Sequence, residues 1–503
     1  MSYTVSKSRF QKGLQCQKAL WLAVHRRHLA PKPDEVQQWV FDQGSEVGRL
    51  AQRLFVGGVE VAEGYRDPAG ALATTRRLLA EGAHVLYEPA FEHNGAFARV
   101  DVLAASADGG WHLYEVKSSS TLKPEHISDA AVQAYAVEGS GLTLKSINIV
   151  HIDTTYVYRG GEYELDRLLR IEDVTAEARE SMRSVPQRLE EFRLMLAGPE
   201  PDVRIGNQCK RPYPCEFAAY CHAFLPERYP ITALPRLAER TLHALLEAGI
   251  TSIHDVPDDF PGLTLGQREA AAAVRAGEPT VDGRGIARAL APLVWPAYHL
   301  DFETIAPALP RWPGTRPYET VPFQYSVHVH HPDGTAEHRE YLHTGDDDPR
   351  PTLAARLLAD LGEIGSVVHY TPYERGVLAG LADALPELEE RFADIIDRLF
   401  DLEPVIRVNT RHPEAAGRSS IKFVLPAWCP DLSYSGLGIA DGQTASVRYL
   451  RVLRRETTGA EAVRVLADLA EYCGLDTYAM VRLLDEMRRL ADADVASGTG
   501  EVL

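Results

Sequence analysis

Twice in this chain an apolar, strand-like run carries two charged side chains two positions apart. The first is LYEVKSSS at 113–120, with Glu115 and Lys117; the second is YHLDFETIAP at 298–307, with Asp301 and Glu303. In a strand, residues i and i+2 point to the same face. Each charged pair therefore projects together, while Val116 and Phe302 point the other way. A wet sheet face carrying an ion pair and a metal site are both open to such a strand. The two runs lie far apart in a chain of 503 residues, too long for one hydrophobic core, so two or three domains are expected.

Hydrophobic content of 45% and charged content of 25% are ordinary for a soluble globular protein. No apolar run of about 18 residues is present, so no membrane-spanning helix is expected. MSYTVSKSRFQKG lacks the apolar core of a signal peptide, and a cytoplasmic protein is expected. A net charge of −18 argues against a polyanion as partner, although carboxylate-rich metal nucleases can be acidic overall. Lys7, Arg9, Lys12, Lys18, Arg26 and Arg27 cluster near the start and read as a solvated helix face.

Residues 1–55 read as helical. Strand-like runs come next over 84–117: HVLYEPAFEHNG, AFARVDVLAAS, a turn at ADGG, and WHLYEVKSSS. Asp-Gly-Gly between two apolar runs predicts a hairpin. ISDAAVQAYAVEGSG predicts a helix stopped by glycine, LKSINIVHIDTTYVY a further strand, and 175–197 a charged helical stretch. From Pro230 to about Gly277 the pattern is helix, Gly-containing turn, helix; a second α/β unit then begins at YHLDFET.

Glu88 and Asp101 lie on the runs preceding Glu115, and Asp101 and Glu115 sit on the two arms of the predicted hairpin. Two carboxylates converging at a sheet edge can hold Mg²⁺, which prefers oxygen ligands and lowers the pKa of bound water. A neighbouring lysine can orient the attacking hydroxide or neutralise a developing anion. At the second pair, Tyr472 precedes Asp476 by four in AEYCGLDTYAM, which places both on one helix face. Asp397 and Asp401 can support that site. Lys422 is within reach of a phosphate contact, although plain exposure is its commoner fate. Six cysteines do not make a disulfide framework in a cytosolic chain. Cys209, Cys215 and Cys221 are evenly spaced and Cys16 stands alone upstream; Cys429 and Cys473 read as ordinary buried thiols.

On Asp101 in ARVDVL, Glu115 and Lys117 in YEVKSSS, and Gln133 with Tyr135 in the next helix, the first part of the chain resembles the RecB-like PD-(D/E)XK nucleases. The Gln–Tyr spacing departs from that group's usual four residues. The resemblance implies Asp101 and Glu115 as metal ligands, Lys117 and Gln133 at the site, Glu88 as an accessory acid, and Glu46 facing the metal. Cys16 with Cys209, Cys215 and Cys221 is similar to the ligand arrangement of iron–sulfur nucleases of the AddB and CRISPR-adaptation types. It implies a [4Fe–4S] cluster in preference to zinc, both of which four thiolates can hold.

The C-terminal part resembles DnaQ-like DEDD exonucleases of the RNase H-like fold. The implied Mg²⁺ or Mn²⁺ ligands are Asp301, Glu303, Glu374 and Asp476, with Tyr472 positioning water. Glu374, in SVVHYTPYERGVL, stands where the family carries aspartate. The fold expectation is an α/β multidomain protein. A PD-(D/E)XK restriction-endonuclease-like core with an iron–sulfur staple spans 1–228, a helix-hairpin-helix-like connector 229–285, and an RNase H-like domain 286–503.

The expected function is a metal-dependent deoxyribonuclease, an exonuclease on single strands or ends, in DNA repair or antiviral defence. DNA is favoured over RNA, with protein partners in a repair or defence complex. The competing expectation is a nucleic-acid-binding assembly factor whose C-terminal nuclease fold is inactive, as Glu374 suggests.

Overall fold

The computed structural model describes residues 4–497. It is a mixed α/β protein with two compact units. The first comprises Met1–Ala223 with Pro307–Glu319, and the second Phe224–Ala306 with Thr320–Leu503. Residues 229–285, read from sequence as a separate connector, belong to the second unit, and 307–319 group with the first. Among the described residues no helix is long and apolar enough to cross a membrane.

The first unit contains strands β1 (Val5–Ser6), β2 (Val59–Glu60), β3 (Val85–Tyr87), β4 (Ala90–His93), β5 (Ala96–Arg99), β6 (Val102–Ala105), β7 (Trp111–Lys117), β8 (Leu144–Ile152) and β9 (Leu169–Asp173). Six of them form a sheet in the order β2-β3-β6-β7-β8-β9, and the others form β1-β5-β4. The predicted hairpin is β6–β7, turning through Gly109 and Gly110 at φ 84° and 87°, a region open to glycine at little cost.

The run AFARVDVLAAS does not make one strand, however. It breaks at Val100-Asp101, where the chain passes from one sheet to the other. HVLYEPAFEH breaks opposite, at Glu88-Pro89, and the two corners are tied by Glu88 N–H to the Asp101 carbonyl and Val100 N–H to the Pro89 carbonyl. Glu88 and Asp101 are therefore corner residues, not mid-strand ones, and Glu88 adopts φ 56°. The helix Pro124–Gly139 packs its buried Ala130, Ala134 and Val137 with Leu113, Ile147 and Ile149 of the sheet.

The second unit carries β10 (Thr280–Val281), β11 (Ala297–Ile305), β12 (Val321–His330), β13 (Ala336–Leu342), β14 (Val367–His369), β15 (Leu399–Asp401) and β16 (Thr410–Arg411). Five of these form a sheet ordered β13-β12-β11-β14-β15. Its first three strands pair antiparallel, and β14 and β15 run parallel to β11. Alternation along β11 decides the faces. Tyr298, Leu300 and Phe302 enter a core with Leu353, Leu357 and Leu378. Asp301 and Glu303 lie on the opposite face, over which the long helix Gly459–Ser497 packs; its Ala479, Leu483 and Met487 share a core with Ala297 and Val368. β10 pairs with β16, Thr280 opposite Arg411.

Candidate metal centres

In the first unit the corner at Asp101 and the end of β7 meet. The Val116 N–H donates to the Asp101 carboxylate at 2.6 Å, so the corner is locked against the strand. Glu115 is 2% exposed. Its carboxylate accepts from Lys117 Nζ at 2.7 Å and from Lys7 Nζ at 2.9 and 3.0 Å. Lys117 also pairs with Asp129 of the helix Pro124–Gly139. Burial works to raise the Glu115 pKa, yet the Lys117 and Lys7 ammoniums hold it well below the usual carboxylate range. Asp101 goes the other way, pushed up to about 8 by burial and then by the Glu115 charge. Adjoining them is a cavity of about 540 Å³ with Lys7, Lys117, His126, Asp129 and Tyr213 among its lining.

Gln133 lies one helical turn beyond Asp129, fully buried, with neither amide atom hydrogen-bonded. Tyr135, two residues on, points away: its hydroxyl accepts from Asn94 Nδ2 at 3.1 Å, and its ring lies 5.0 Å from that of His93. A helix turns about 100° per residue, so positions two apart cannot share a face. Glu88 pairs with Arg99 at 3.4 Å, and Glu46 is half-buried on the helix Glu35–Gln52. Lys7 is a correction. Read as part of a solvated basic face, it sits instead on Glu115, across 108 positions.

In the second unit four carboxylates converge. Glu303 and Glu374 are 5% and 4% exposed, and Asp301 and Asp476 are half-buried. Asp301 and Glu303 come from β11, Glu374 from the first turn of the helix Tyr373–Ala384, and Asp476 from the C-terminal helix. Burial raises all four, and charges on neighbouring carboxylates add to the rise of Asp301, Glu303 and Glu374. Asp301 is driven well above its ordinary value by burial and the charges of Asp476, Glu374 and Glu303. Glu303 rises to about 8, Glu374 to about 7 and Asp476 to about 6, burial leading each time. Glu374 Oε2 is buried without a hydrogen bond. Asp301, Glu303 and Asp476 line a cavity of about 490 Å³ together with Tyr373, Asp441 and Tyr472; Glu374 is not in its wall.

Tyr434 donates its hydroxyl to Asp476 at 2.5 Å, and Tyr472 lies alongside. Cys473 is buried, as expected, but its setting is not ordinary. Its Sγ lies 3.7 Å from Asp301 Oδ2, and Asp301, Glu303 and Cys473 each offer a ligand atom within 4.8 Å of the others. Lys422 is half-buried, not simply exposed. Its Nζ donates to the Ala440 carbonyl at 2.6 Å and lies 5.6 Å from the Tyr472 ring centre. Asp401 influences Glu374 and His369 electrostatically, whereas Asp397 is exposed at the end of the helix Glu389–Asp397.

Cys16, Cys209, Cys215 and Cys221 line one cavity, each half-buried and none in a disulfide. Cys16 falls in the break between the helices Lys7–Gln15 and Gln17–His25. Burial leads the upward pKa shifts of Cys16, Cys215 and Cys221, and the other thiols add to each. No three of these sulfurs lie within 4.8 Å of one another, since among the described residues only the Asp301, Glu303 and Cys473 group meets that condition.

Residues 298–420 match the family model described as a domain of unknown function (DUF2779). That span holds Asp301, Glu303 and Glu374 and stops short of Asp476. No curated protein matches the chain. A solved structure titled "Crystal structure of SSO0001" is similar over 45% of this chain and 89% of its own length, at 14% identity and a TM-score of 0.24.

Proposed function

We propose that the protein is a metal-dependent nuclease hydrolysing phosphodiester bonds of DNA, with candidate sites in both units. The observation that carries this reading is the convergence of Asp301, Glu303, Glu374 and Asp476, with Lys422 as the cation beside them. Four carboxylates with raised pKa values, one with a buried oxygen that accepts no hydrogen bond, form an all-oxygen donor set suited to Mg²⁺ or Mn²⁺. The mixed order of the five-stranded sheet supports an RNase H-like core for this unit. Bound divalent ions would polarise the scissile phosphate and supply hydroxide at neutral pH.

The chain's own residues have separate tasks. Tyr472 is kept as a neutral phenol by burial and by the Asp476 and Glu303 charges; its O–H is directed at Asp476, and its oxygen can accept from and orient an attacking water. Tyr434 fixes the Asp476 carboxylate, and Lys422 sits where it can meet a phosphate oxygen. In the first unit the Lys7 ammonium occupies a cation position on Glu115, which marks Asp101 and Glu115 as fit for a metal once Lys7 withdraws. Lys117, positively charged between Glu115 and Asp129, would then face the attacking water or the developing anion. This supports the PD-(D/E)XK-like reading.

For the four cysteines, tetrahedral zinc with bonds of about 2.3 Å would bring the sulfurs to about 3.8 Å from one another. In the cluster reading the four thiolates around one cavity would hold a [4Fe–4S] cluster, tying the N-terminal helices to the segment 209–221.

End-labelled single- and double-stranded DNA with Mn²⁺ is the test. Asp301→Asn and Lys117→Ala should each abolish the cleavage made by their own unit, by about 10²-fold or more. If the double variant cleaves every DNA and RNA tested as fast as the unaltered protein, the nuclease reading is wrong.

A further inference from the structure

The second unit holds another cavity of about 540 Å³, formed by the connector and the segment 406–428. Arg236, Arg407, Arg411, His412 and Arg418 lie in its wall, and among the described residues no Asp or Glu does. That is unusual in a chain of net charge −18. Two of these arginines are anchored from behind: Arg411 by Glu269 at 2.7 Å and Arg407 by Glu403 at 2.9 Å. The other two pair with no carboxylate among the described residues. Arg418 is held by the Ala415 carbonyl at 3.0 Å and lies 3.7 Å from the Phe423 ring centre, while Arg236 is exposed at the wall. The first turn of the helix Leu265–Ala276, at Gly266 and Gln267, adds its positive end to the same wall.

Apolar and aromatic groups share the lining with polar ones: Val408, Val424 and Trp428, with the His412 ring edge-on to Trp428 at 4.9 Å. A lining that combines four arginines with an indole and an imidazole suits a ligand carrying both anionic phosphates and unpaired bases. One short helix links this groove to the carboxylates. From Ile421–Trp428, Val424 and Trp428 face the groove, while Lys422 reaches the Tyr472 and Tyr434 rings.

We propose that this groove binds single-stranded nucleic acid, with phosphates on Arg236, Arg407 and Arg418 and a base on Trp428, and leads the strand along the helix Ile421–Trp428 to the carboxylate centre. The last step rests on the nuclease reading; the binding does not.

The test is fluorescence anisotropy with the full chain and no added divalent metal, using labelled oligothymidine of about 16 nucleotides and its ribo counterpart. Polyglutamate serves as competitor. Arg236→Glu and Arg407→Glu should each raise Kd about tenfold and reduce the log–log salt slope by about 1. Tighter binding of the deoxy or of the ribo strand would identify the nucleic acid.

Cleavage is read separately, with Mn²⁺, in Asp301→Asn, in Lys117→Ala and in the double variant. Loss of cleavage in Asp301→Asn with an unaltered Kd in the double arginine variant would sink the groove and spare the enzyme. Weakened binding in the arginine variants with full cleavage in the Asp301→Asn, Lys117→Ala double variant would do the reverse. Displacement of the strand by polyglutamate at equal charge concentration would overturn the proposal in favour of a general anion patch.

Discussion

Single residues carry the electrostatics of both centres, and they make stability depend on pH in a definite direction. Glu303, Glu374 and Asp476, at about 8, 7 and 6, stay protonated in the folded chain at pH values where ordinary carboxyls are ionised. Between about pH 4 and 8 the unfolded chain therefore binds fewer protons than the folded one. The metal-free fold loses stability as pH rises through that window. In the metal-site reading a divalent ion would replace those protons, so the rise in Tm on adding Mn²⁺ should grow from about pH 5 to about pH 8. A Tm shift that stays flat with pH would remove the metal from this site. His299 adds a slope of opposite sign at low pH: burial holds it neutral, and stability falls as pH drops below about 6.5.

Elements decide which of these residues meet. The C-terminal helix brings Tyr472, Cys473 and Asp476 to the β11 face, and a buried polar clamp beside them holds it to β12. Thr477 Oγ1 lies 2.7 Å from Ser326 Oγ and 2.8 Å from His328 Nδ1, with Thr477 fully buried. Thr477→Val keeps the shape but leaves two buried polar atoms short of a partner. It should cost about 1–3 kcal/mol in denaturant unfolding, and a Thr477→Val, Ser326→Ala double variant should cost less than the sum of the single changes. The i, i+2 pairs on β7 and β11 were legible in the sequence because strand alternation is a local rule. The corners at Glu88 and Asp101 were not. A run of strand-forming residues looks the same whether it stays in one sheet or crosses to another, and only pairing between 88–89 and 100–101 makes the difference.

At the scale of the molecule, Cys16 and the Cys209–Cys221 group depend on the first unit closing. In the cluster reading, Cys16→Ser should yield a protein that loses its brown colour and bound iron. Loss of a cross-link worth about 3 kcal/mol would lower the Tm of a unit this size by roughly 10 °C. A colourless, zinc-loaded parent protein would replace the cluster with zinc.

Short-range rules were enough for the sequence by itself to determine the two charged strand ends, the Tyr472–Asp476 helix face, the hairpin at Asp108-Gly109-Gly110 and the cysteine spacing. Only the tertiary structure decided that Lys7 sits on Glu115, that Cys473 joins Asp301 and Glu303, and that Arg236 and Arg418 face one groove. Those contacts join residues from about 100 to 180 positions apart, and no local periodicity records them. Charge repulsion and burial arise only once such groups have been brought together by packing.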